Sequence, residues 1–225
     1  GVVLRYSAGA WARVDAGTAR DLLRVYGQGE DVWLSGAAGE VRHWDGERWQ
    51  SPTVPNGELR PQGDLAALWV SLDDKVYTAS AAGQVYVWDS QAPCADQDAG
   101  VPEDGGIPVC PRWSARNSGQ DLALRALSGR GSFSVAVGEF GTILSWQGEV
   151  RSVWSRGSID NYLDVSGEGQ DVWVAGDRVL KRTGDVWEEI ERAGPRAVYA
   201  LQALGEGEAL IAGTGIASAA EGAKD

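Results

Sequence analysis

The amino-acid sequence predicts an all-β fold built from one repeated unit of four short strands. Three observations support this prediction. Short segments that alternate apolar and polar residues occur throughout the chain, they recur at long intervals, and glycine and tryptophan are abundant, with 31 and 11 copies in 225 residues. Alternation with a period of two is the pattern of a half-buried strand. Abundant glycine with abundant tryptophan is typical of repeated β-hairpins, in which a ring packs beside each short turn.

The clearest repeated segment, which we name strand B, ends in a small residue. DVWLSG at 31–36 has four counterparts: KVYTAS at 75–80, SVAVG at 134–138, DVWVAG at 171–176 and ALIAG at 209–213. The closing residues are spaced 44, 58, 38 and 37 residues apart and are Gly36, Ser80, Gly138, Gly176 and Gly213. This pattern predicts a strand that ends in a tight turn.

A second pattern predicts strands C and D. The segments GEVRHW, GQVYVW and GTILSW place a ring five residues after a glycine, at Trp44, Trp88 and Trp146. Another ring follows five residues later at Trp49, and at Trp113 after an insertion of 20 residues. A more apolar segment, strand A, precedes each strand B. Four strands in about 45 residues match the size of a propeller blade.

The consensus of these tandem units resembles that of bacterial surface and secreted β-propellers. It reads L-R-V-x-G-x-G-x-D-V-W-x-x-G-x-x-G-x-V-x-x-W-D-G-x-x-W. It is similar in style to WD-type, Asp-box and photosystem-assembly-factor repeats, and the resemblance covers essentially the whole chain. The resemblance implies a β-propeller of four-stranded antiparallel blades.

The two ends of the chain predict how the propeller closes. Residues 1–6, GVVLRY, fit strand C and Trp11 fits strand D, whereas 195–214 fits strands A and B. Together they make one complete blade. We therefore expect five blades with a velcro closure, in which the N-terminal strands complete the C-terminal blade and leave no free sheet edge. The alternative is part of a six- or seven-bladed ring.

These assignments give the predicted domain organisation. A single β-propeller spans 1–215, and a flexible tail follows at 216–225. The predicted blades are 21–54, 64–117 with an insertion at about 91–111, 121–157, 160–192, and a fifth made of 195–214 with 1–16.

The charge balance restricts the class of partner. The chain has 32 acidic and 20 basic residues, which gives a net charge of −12. Nucleic acids and anionic membrane surfaces bind clustered lysine and arginine, so neither is an expected partner. No apolar run reaches the roughly 18 residues of a membrane-spanning helix. A protein partner is the favoured prediction, and carbohydrate is the alternative.

The insertion in the second repeat contains both cysteines of the chain, Cys94 and Cys110. A disulfide between them is the favoured prediction and two free thiols are the alternative. A disulfide indicates an oxidising compartment, so an extracytoplasmic location (periplasm, cell surface or secreted) is expected. The acidic residues of the insertion are weak calcium candidates, because the EF-hand spacing is absent. They are Asp96, Asp98, Glu103 and Asp104.

No pattern in the chain indicates catalysis. His43 is the only histidine, and it is interpreted as a surface or turn-proximal residue. A nucleophile elbow, a phosphate loop, a metalloprotease helix and paired-cysteine zinc spacing are all absent from the sequence. We predict no catalytic residue, no cofactor and no metal, and therefore a protein that is not an enzyme.

The favoured function is a non-enzymatic, extracytoplasmic β-propeller that binds a protein or acts as a scaffold, possibly within a surface or secreted assembly. The alternative is a propeller lectin with sugar sites between blades, and a propeller glycoside hydrolase is less favoured. In a lectin the recurring rings would stack on sugars; packing is the simpler interpretation of rings that recur. The candidate stacking residues are Trp44, Trp88 and Trp146.

Overall fold

The computed structural model describes residues 1–54, 58–94, 110–116, 118–119, 121–130, 133–147, 150–154, 158–168, 171–191, 197–205 and 207–220. Within these ranges the chain forms 21 strands and one 3-10 helix of three residues, Ala37–Gly39. The predicted all-β fold class is confirmed. The chain folds as two compact units, 1–78 with 85–117, and 79–84 with 118–225. The single domain over 1–215 stays a prediction.

The first unit contains a two-stranded hairpin, one four-stranded sheet and all of a second four-stranded sheet except residues 79–80. The hairpin consists of β1 (Val3–Ser7) and β2 (Ala10–Val14). The first sheet consists of β3 (Leu22–Gln28), β4 (Asp31–Gly36), β5 (Val41–Trp44) and β6 (Trp49–Gln50). The second sheet consists of β7 (Leu65–Val70), β8 (Val76–Ser80), β9 (Val85–Asp89) and β10 (Arg112–Arg116).

The second unit contains two four-stranded sheets and one three-stranded sheet. One consists of β11 (Leu124–Arg130), β12 (Phe133–Gly138), β13 (Ile143–Gln147) and β14 (Val150–Val153). The next consists of β15 (Tyr162–Glu168), β16 (Asp171–Gly176), β17 (Val179–Thr183) and β18 (Val186–Glu189). The last consists of β19 (Val198–Gly205), β20 (Glu208–Gly213) and β21 (Gly215–Ala220).

The predicted repeat is found in the sheets. In all four four-stranded sheets the strands are neighbours in chain order, as predicted for strands A, B, C and D of a blade. The five predicted B segments are β4, β8, β12, β16 and β20. The predicted five repeats therefore correspond to four complete sheets and a fifth with three strands.

The glycine that ends strand B is required by a close approach of two backbones. A Cβ atom on Gly176 would lie 2.0 Å from the carbonyl oxygen of Asn161, at the start of strand A. The same oxygen accepts a hydrogen bond from the backbone N–H of Asp177, with an N–O distance of 3.0 Å. The equivalent Cβ distance is 2.1 Å at Gly36, 1.9 Å at Gly138 and 2.0 Å at Gly213. A Cβ atom does not fit at this distance from a backbone oxygen, so the repeat ends in glycine in these four units.

The hydrophobic clusters lie between successive sheets within each unit. In the first unit, Trp33 and Val41 of one sheet pack with Leu65 and Trp88 of the next. In the second unit, alternate residues of β12 pack on one face of the following sheet. The β12 residues are Phe133, Val135 and Val137, and the residues they face include Val165, Val172, Val174 and Trp187. Because successive side chains point to opposite faces of a strand, alternate residues of one sheet pack against the neighbouring sheet.

The predicted closure of the last blade is wrong in its strand pairing. β20 pairs with β19 on one side and with β21 on the other, so β21 lies in the place predicted for residues 1–6. Among the described residues, β1 pairs only with β2. The physical reason is the entropy of loop closure, because Thr214 alone connects β20 to β21, whereas β1 is about 200 residues away in sequence.

The predicted flexible tail is also corrected, because 216–220 belong to β21. Residues 221–225 lie outside the described residues.

The predicted disulfide between Cys94 and Cys110 is present, and neither cysteine is free. The backbone N–H of Cys110 also donates a hydrogen bond to the carbonyl oxygen of Ala92, at 2.8 Å. The calcium candidates Asp96, Asp98 and Asp104, together with Glu103, lie outside the described residues. The calcium site therefore stays a prediction.

Candidate functional site

An apolar cleft lies in the first unit, between the hairpin β1–β2 and the sheet β3–β6. Its volume is about 370 Å³. The hairpin contributes Val3, Leu4, Arg5, Tyr6 and Val14. The sheet and its turns contribute Val25, Gly29, Glu30, Val32, Leu34, Trp44, Gly46 and Trp49. We refer to this site as the apolar cleft.

The hairpin presents the edge of β1 to the apolar cleft. Four successive residues of β1, Val3 to Tyr6, line it. Because successive side chains of a strand point to opposite faces, lining by consecutive residues indicates that the strand edge borders the cleft. β2 is the only sheet neighbour of β1 within the described part of the chain. The main-chain groups on the other edge of β1 therefore have no sheet partner there.

The opposite wall is one face of the sheet β3–β6. Val25 of β3 lies opposite Leu34 of β4. Val32 lies opposite Trp44 of β5, which in turn lies opposite Trp49 of β6. The rings of Trp44 and Trp49 have centroids 5.6 Å apart. The wall is thus a continuous apolar surface across four strands.

The same face is covered in the fourth repeat but not in the first. Strand register places Val165, opposite Val174, at the position of Val25. Val165 is 5% exposed because β12 packs on it, whereas Val25 is 68% exposed. Trp187, at the position of Trp49, is buried, whereas Trp49 is half-buried. The first repeat therefore exposes an apolar face that this architecture otherwise buries, and such faces mark interaction sites.

The hairpin itself carries large exposed apolar side chains. Leu4, Tyr6 and Trp11 are all more than half exposed. The Tyr6 and Trp11 rings lie across the hairpin from each other, with centroids 5.3 Å apart. An isolated two-stranded hairpin is marginally stable in water. The hairpin is held at its base by the segment that follows it, where the Arg42 side chain donates a hydrogen bond to the carbonyl oxygen of Gly17, at 2.7 Å.

A second cleft, rich in carboxylates, lies beside the first. Its volume is about 540 Å³, and we refer to it as the acidic cleft. Its lining residues are Glu30, Asp31, Trp33, His43, Asp45, Asp74, Trp88 and Ser90. Glu30 lines both clefts, and Asp45 of the acidic cleft directly precedes Gly46 of the apolar cleft. The two clefts therefore share a rim made by the β3–β4 and β5–β6 turns.

The carboxylate of Asp45 is stabilised in its ionised form. It accepts hydrogen bonds from the backbone N–H groups of Arg48 and Glu47, each at 2.9 Å. These bonds, that of Arg48 first, lower the pKa of Asp45 below its usual value. Asp45 is thus negatively charged at neutral pH, and so it contributes a fixed negative charge to the rim.

His43 is half-buried and paired rather than free on the surface. Its Nε2 atom is hydrogen-bonded to a carboxylate oxygen of Asp31. Its ring stacks on Trp33, with centroids 4.0 Å apart and an interplanar angle of 13°. In the fourth repeat, Lys181 lies opposite Trp173 in the same register, with Nζ 5.3 Å from the ring centroid. His43 therefore occupies a position that supports a tryptophan of strand B.

The three tryptophans predicted as stacking candidates differ in exposure. Trp88 is 6% exposed and Trp146 is 3% exposed, so neither ring offers a face to a ligand. Trp44 is half-buried and lines the apolar cleft. Trp88 and Trp113 lie opposite each other with centroids 5.5 Å apart, like Trp44 and Trp49. The five-residue offset in the sequence thus corresponds to two tryptophan rings that pack against each other across the C–D hairpin.

Sequence reasoning did not predict the apolar cleft. The residues that make it, such as Val25 and Val32, are ordinary strand positions of the repeat. No local signal in the sequence distinguishes these positions from their counterparts in the other repeats.

In the described part of the chain, no group of three or more His, Cys, Asp or Glu residues is arranged to hold a metal ion. Among the same residues, no helix has the length and apolar character needed to cross a membrane.

Comparison with known proteins identifies the fold. No protein-family model and no curated protein matches the sequence. The structure is similar to YCF48 bound to D1 peptide, with a TM-score of 0.62 and 15% identity over 93% of this chain and 68% of that chain. For YCF48 from Cyanidioschyzon merolae the TM-score is 0.61, with 14% identity over 93% and 73% of the two chains. For the WD40 β-propeller domain of Doa1 it is 0.56, with 14% identity over 86% and 62%. The chain therefore has a β-propeller fold.

Proposed function

We propose that this β-propeller is a non-enzymatic module that binds a protein partner through the apolar cleft. The observation that carries the proposal is the exposure of Val25 at 68%, where the equivalent Val165 of the fourth repeat is 5% exposed. An exposed apolar face has area that a partner can cover, and burial of that area drives association. YCF48 bound to D1 peptide is an example of a similar fold in complex with a peptide.

The proposal includes an extracytoplasmic setting, and the disulfide between Cys94 and Cys110 supports it. Structural disulfides persist in oxidising compartments and are rare in the cytosol. The surface or secreted assembly expected from the sequence remains part of this proposal. Analysis of the thiols in protein isolated from its native source tests the setting. A fully reduced pair would contradict it.

Peptide binding provides the main test. A phage-displayed peptide library is selected on the immobilised protein, and the affinity of the recovered peptides is measured by fluorescence polarisation. Val25→Asp introduces a charge into the apolar cleft, and Val186→Asp makes the same change at a 58% exposed strand position in the second unit. We expect Val25→Asp to weaken binding about tenfold or more and Val186→Asp to leave it unchanged. Equal affinity for both variants would contradict the proposal.

Carbohydrate is the second candidate ligand, because Trp44 is half-buried in the cleft beside Trp49. Aromatic rings with an accessible face can stack on sugars. A glycan array tests this candidate, and Trp44→Ala is the variant that should lose the signal. Binding to glycans that depends on Trp44, without binding to selected peptides, would favour the lectin over the protein-binding module.

A further inference from the structure

The side chain of Arg42 occupies a position that is apolar and fully buried in two other repeats. Arg42 of β5 lies opposite Leu34, two residues before the glycine that closes strand B. At the same register, Leu144 lies in β13 and Leu180 in β17, and both are fully buried. The side chain of Arg42 is only 19% exposed. Because a buried charge is unfavourable unless it is paired and hydrogen-bonded, the partners of Arg42 indicate its role.

Arg42 is bonded both to the start of its own strand and to the segment that connects β2 to β3, residues 15–21. Its Nη2 atom donates a hydrogen bond to the carbonyl oxygen of Gly17, at 2.7 Å, and its Nε atom donates one to Oε1 of Glu40, at 2.6 Å. Glu40 is 8% exposed, and its Oε2 atom lies 3.3 Å from Nη1 of Arg20. The buried carboxylate thus joins two arginines, and together they attach the connecting segment to the sheet at two points.

The hairpin that precedes this segment buries little of its own surface. In β1 and β2, every residue except Val3 and Val14 is exposed. Among the described residues the two strands form a separate two-stranded sheet, and such a sheet is marginally stable in water by itself. Burial within the hairpin therefore does little to fix its position beside the sheet β3–β6.

We propose that Arg20, Glu40 and Arg42 form a latch that holds the hairpin in position as one wall of the apolar cleft. This inference rests on the proposed function, because that wall is part of the site that the partner contacts. The latch acts close to the hairpin, since Gly17 is three residues after the end of β2 at Val14. Three residues of extended chain span at most about 10 Å, so a hairpin attached at this point stays near the sheet.

Stability by itself does not account for the latch. Replacement of a buried ion pair by well-packed apolar residues often leaves stability unchanged or raises it, because the charges no longer have to be desolvated. Leu144 and Leu180 fill the equivalent position without a charge. A leucine cannot supply the hydrogen bond from Arg42 to Gly17, and this bond acts on the segment that leads to the hairpin.

A fixed hairpin favours binding because the wall does not have to be ordered when the partner arrives. A cleft that is complete for only a fraction of the time has its affinity reduced by that fraction, so a wall in place for a tenth of the time lowers the affinity about tenfold. Arg20, Glu40 and Arg42 are not among the described residues that line the apolar cleft. They are therefore positioning residues, which act through the hairpin.

The double variant Glu40→Gln with Arg42→Leu removes the latch. It gives the first repeat the glutamine that the second repeat has at Gln84 and the leucine of the third and fourth repeats. Hydrogen exchange of the full chain is measured by NMR in the absence of peptide. We expect the amides of β1 and β2 to exchange about tenfold or more faster than in the wild type, because an unattached hairpin is marginally stable. The amides of β8 and the midpoint of urea unfolding are expected to stay unchanged.

Two single variants complete the exchange experiment. Arg48→Leu is the matched control, because it removes an arginine of the same sheet whose side chain is 77% exposed, and hairpin exchange should stay as in the wild type. Arg20→Leu removes only the outer part of the latch, where the side chain is 53% exposed, so the fold does not depend on it. We expect it to speed hairpin exchange by a smaller factor than the double variant does. If the double variant does not fold, Arg20→Leu decides the outcome.

The affinity of the library-selected peptides tests the consequence for the apolar cleft. We expect the double variant to bind them about tenfold more weakly than the wild type, and Arg48→Leu to bind them equally well. Unchanged hairpin exchange in the double variant and in Arg20→Leu would overturn the inference, because other contacts would then hold the hairpin. Faster exchange throughout the chain with a lower urea midpoint would also overturn it, because the three residues would then support only the fold.

The experiments separate the two proposals. If the hairpin amides of the double variant exchange faster but the peptides bind as tightly as to the wild type, the latch does not control the cleft, so the inference fails and the proposed function stands. If peptide binding is indifferent to Val25→Asp, the proposed function fails, whereas hairpin exchange in the peptide-free protein still decides whether the latch holds the hairpin.

Discussion

Replacing Gly176 by alanine tests whether the repeat ends in glycine because of the close backbone approach. The new Cβ atom would lie 2.0 Å from the carbonyl oxygen of Asn161, so the two backbones must move apart by about 1 Å. Overpacking of this kind costs about 1–3 kcal/mol. Displacement of that oxygen also weakens its hydrogen bond from Asp177, which contributes about 1 kcal/mol. Chain entropy opposes these effects by about 0.4–1 kcal/mol.

The expected net loss is about 2 kcal/mol in the free energy of unfolding, from the sum of these contributions. Urea unfolding monitored by tryptophan fluorescence measures it, with an unchanged slope in urea as the check that the unfolded state is the same. Hydrogen exchange at the Asp177 amide shows whether the loss of stability arises at this backbone contact. Gly205→Ala is the control, because its φ is 88° and a Cβ atom there would have no atom within 4 Å.

The control is expected to lose about 1 kcal/mol from backbone conformation alone, while exchange at Asp177 stays as in the wild type. Without the close approach, Gly176→Ala would stabilise the chain, because alanine restricts the unfolded state. A stability equal to or above that of the wild type would therefore refute the explanation.

Three further predictions concern other contacts. Reduction of the Cys94–Cys110 disulfide, or Cys94→Ser, is expected to lower the unfolding free energy by about 3 kcal/mol, because the bridge joins two residues that are 16 apart in the sequence. An unchanged urea midpoint after reduction would contradict this prediction. The backbone N–H of Leu201 donates a hydrogen bond to the carboxylate of Asp164, at 2.7 Å. Asp164→Ala removes this acceptor, so we expect the free energy of unfolding to fall by about 1–3 kcal/mol and hydrogen exchange at the Leu201 amide to become faster. The lowered pKa of Asp45 means that its stabilising effect is present above the unfolded value of about 3.9 and is lost as pH falls through the lower folded value. An NMR titration of Asp45 with a midpoint at or above 3.9 would show that the turn does not stabilise its carboxylate.

Local pattern was sufficient to predict the repeat. The alternation in DVWLSG predicted strand B, and the structure has it as β4 (Asp31–Gly36). The five-residue offset predicted the partner rings, and Trp44 lies opposite Trp49 in the C–D hairpin. Cys94 and Cys110 were predicted to pair because they are close in sequence, and they do. All of these features depend on residues that are near each other in the chain, where turn geometry and strand period determine which side chains meet.

Features that depend on distant segments were not predictable in this way. The sequence pattern assigned residues 1–6 to the edge of β20, but β21 follows β20 through Thr214 alone and pairs with it instead. Trp44 and Trp146 have the same place in the repeat, yet Trp146 is buried and Trp44 is half-buried.

The sequence by itself determined the all-β repeat, its four strands, its closing glycines and its disulfide. Each of these follows from the geometry of a few neighbouring residues. The tertiary structure alone decided which copy of the repeated face stays exposed. Val25 and Val165 have the same residue type and the same register, but only Val165 has β12 packed on it. The candidate site exists because burial depends on the sheet that lies opposite, and a strand pattern contains no information about that sheet.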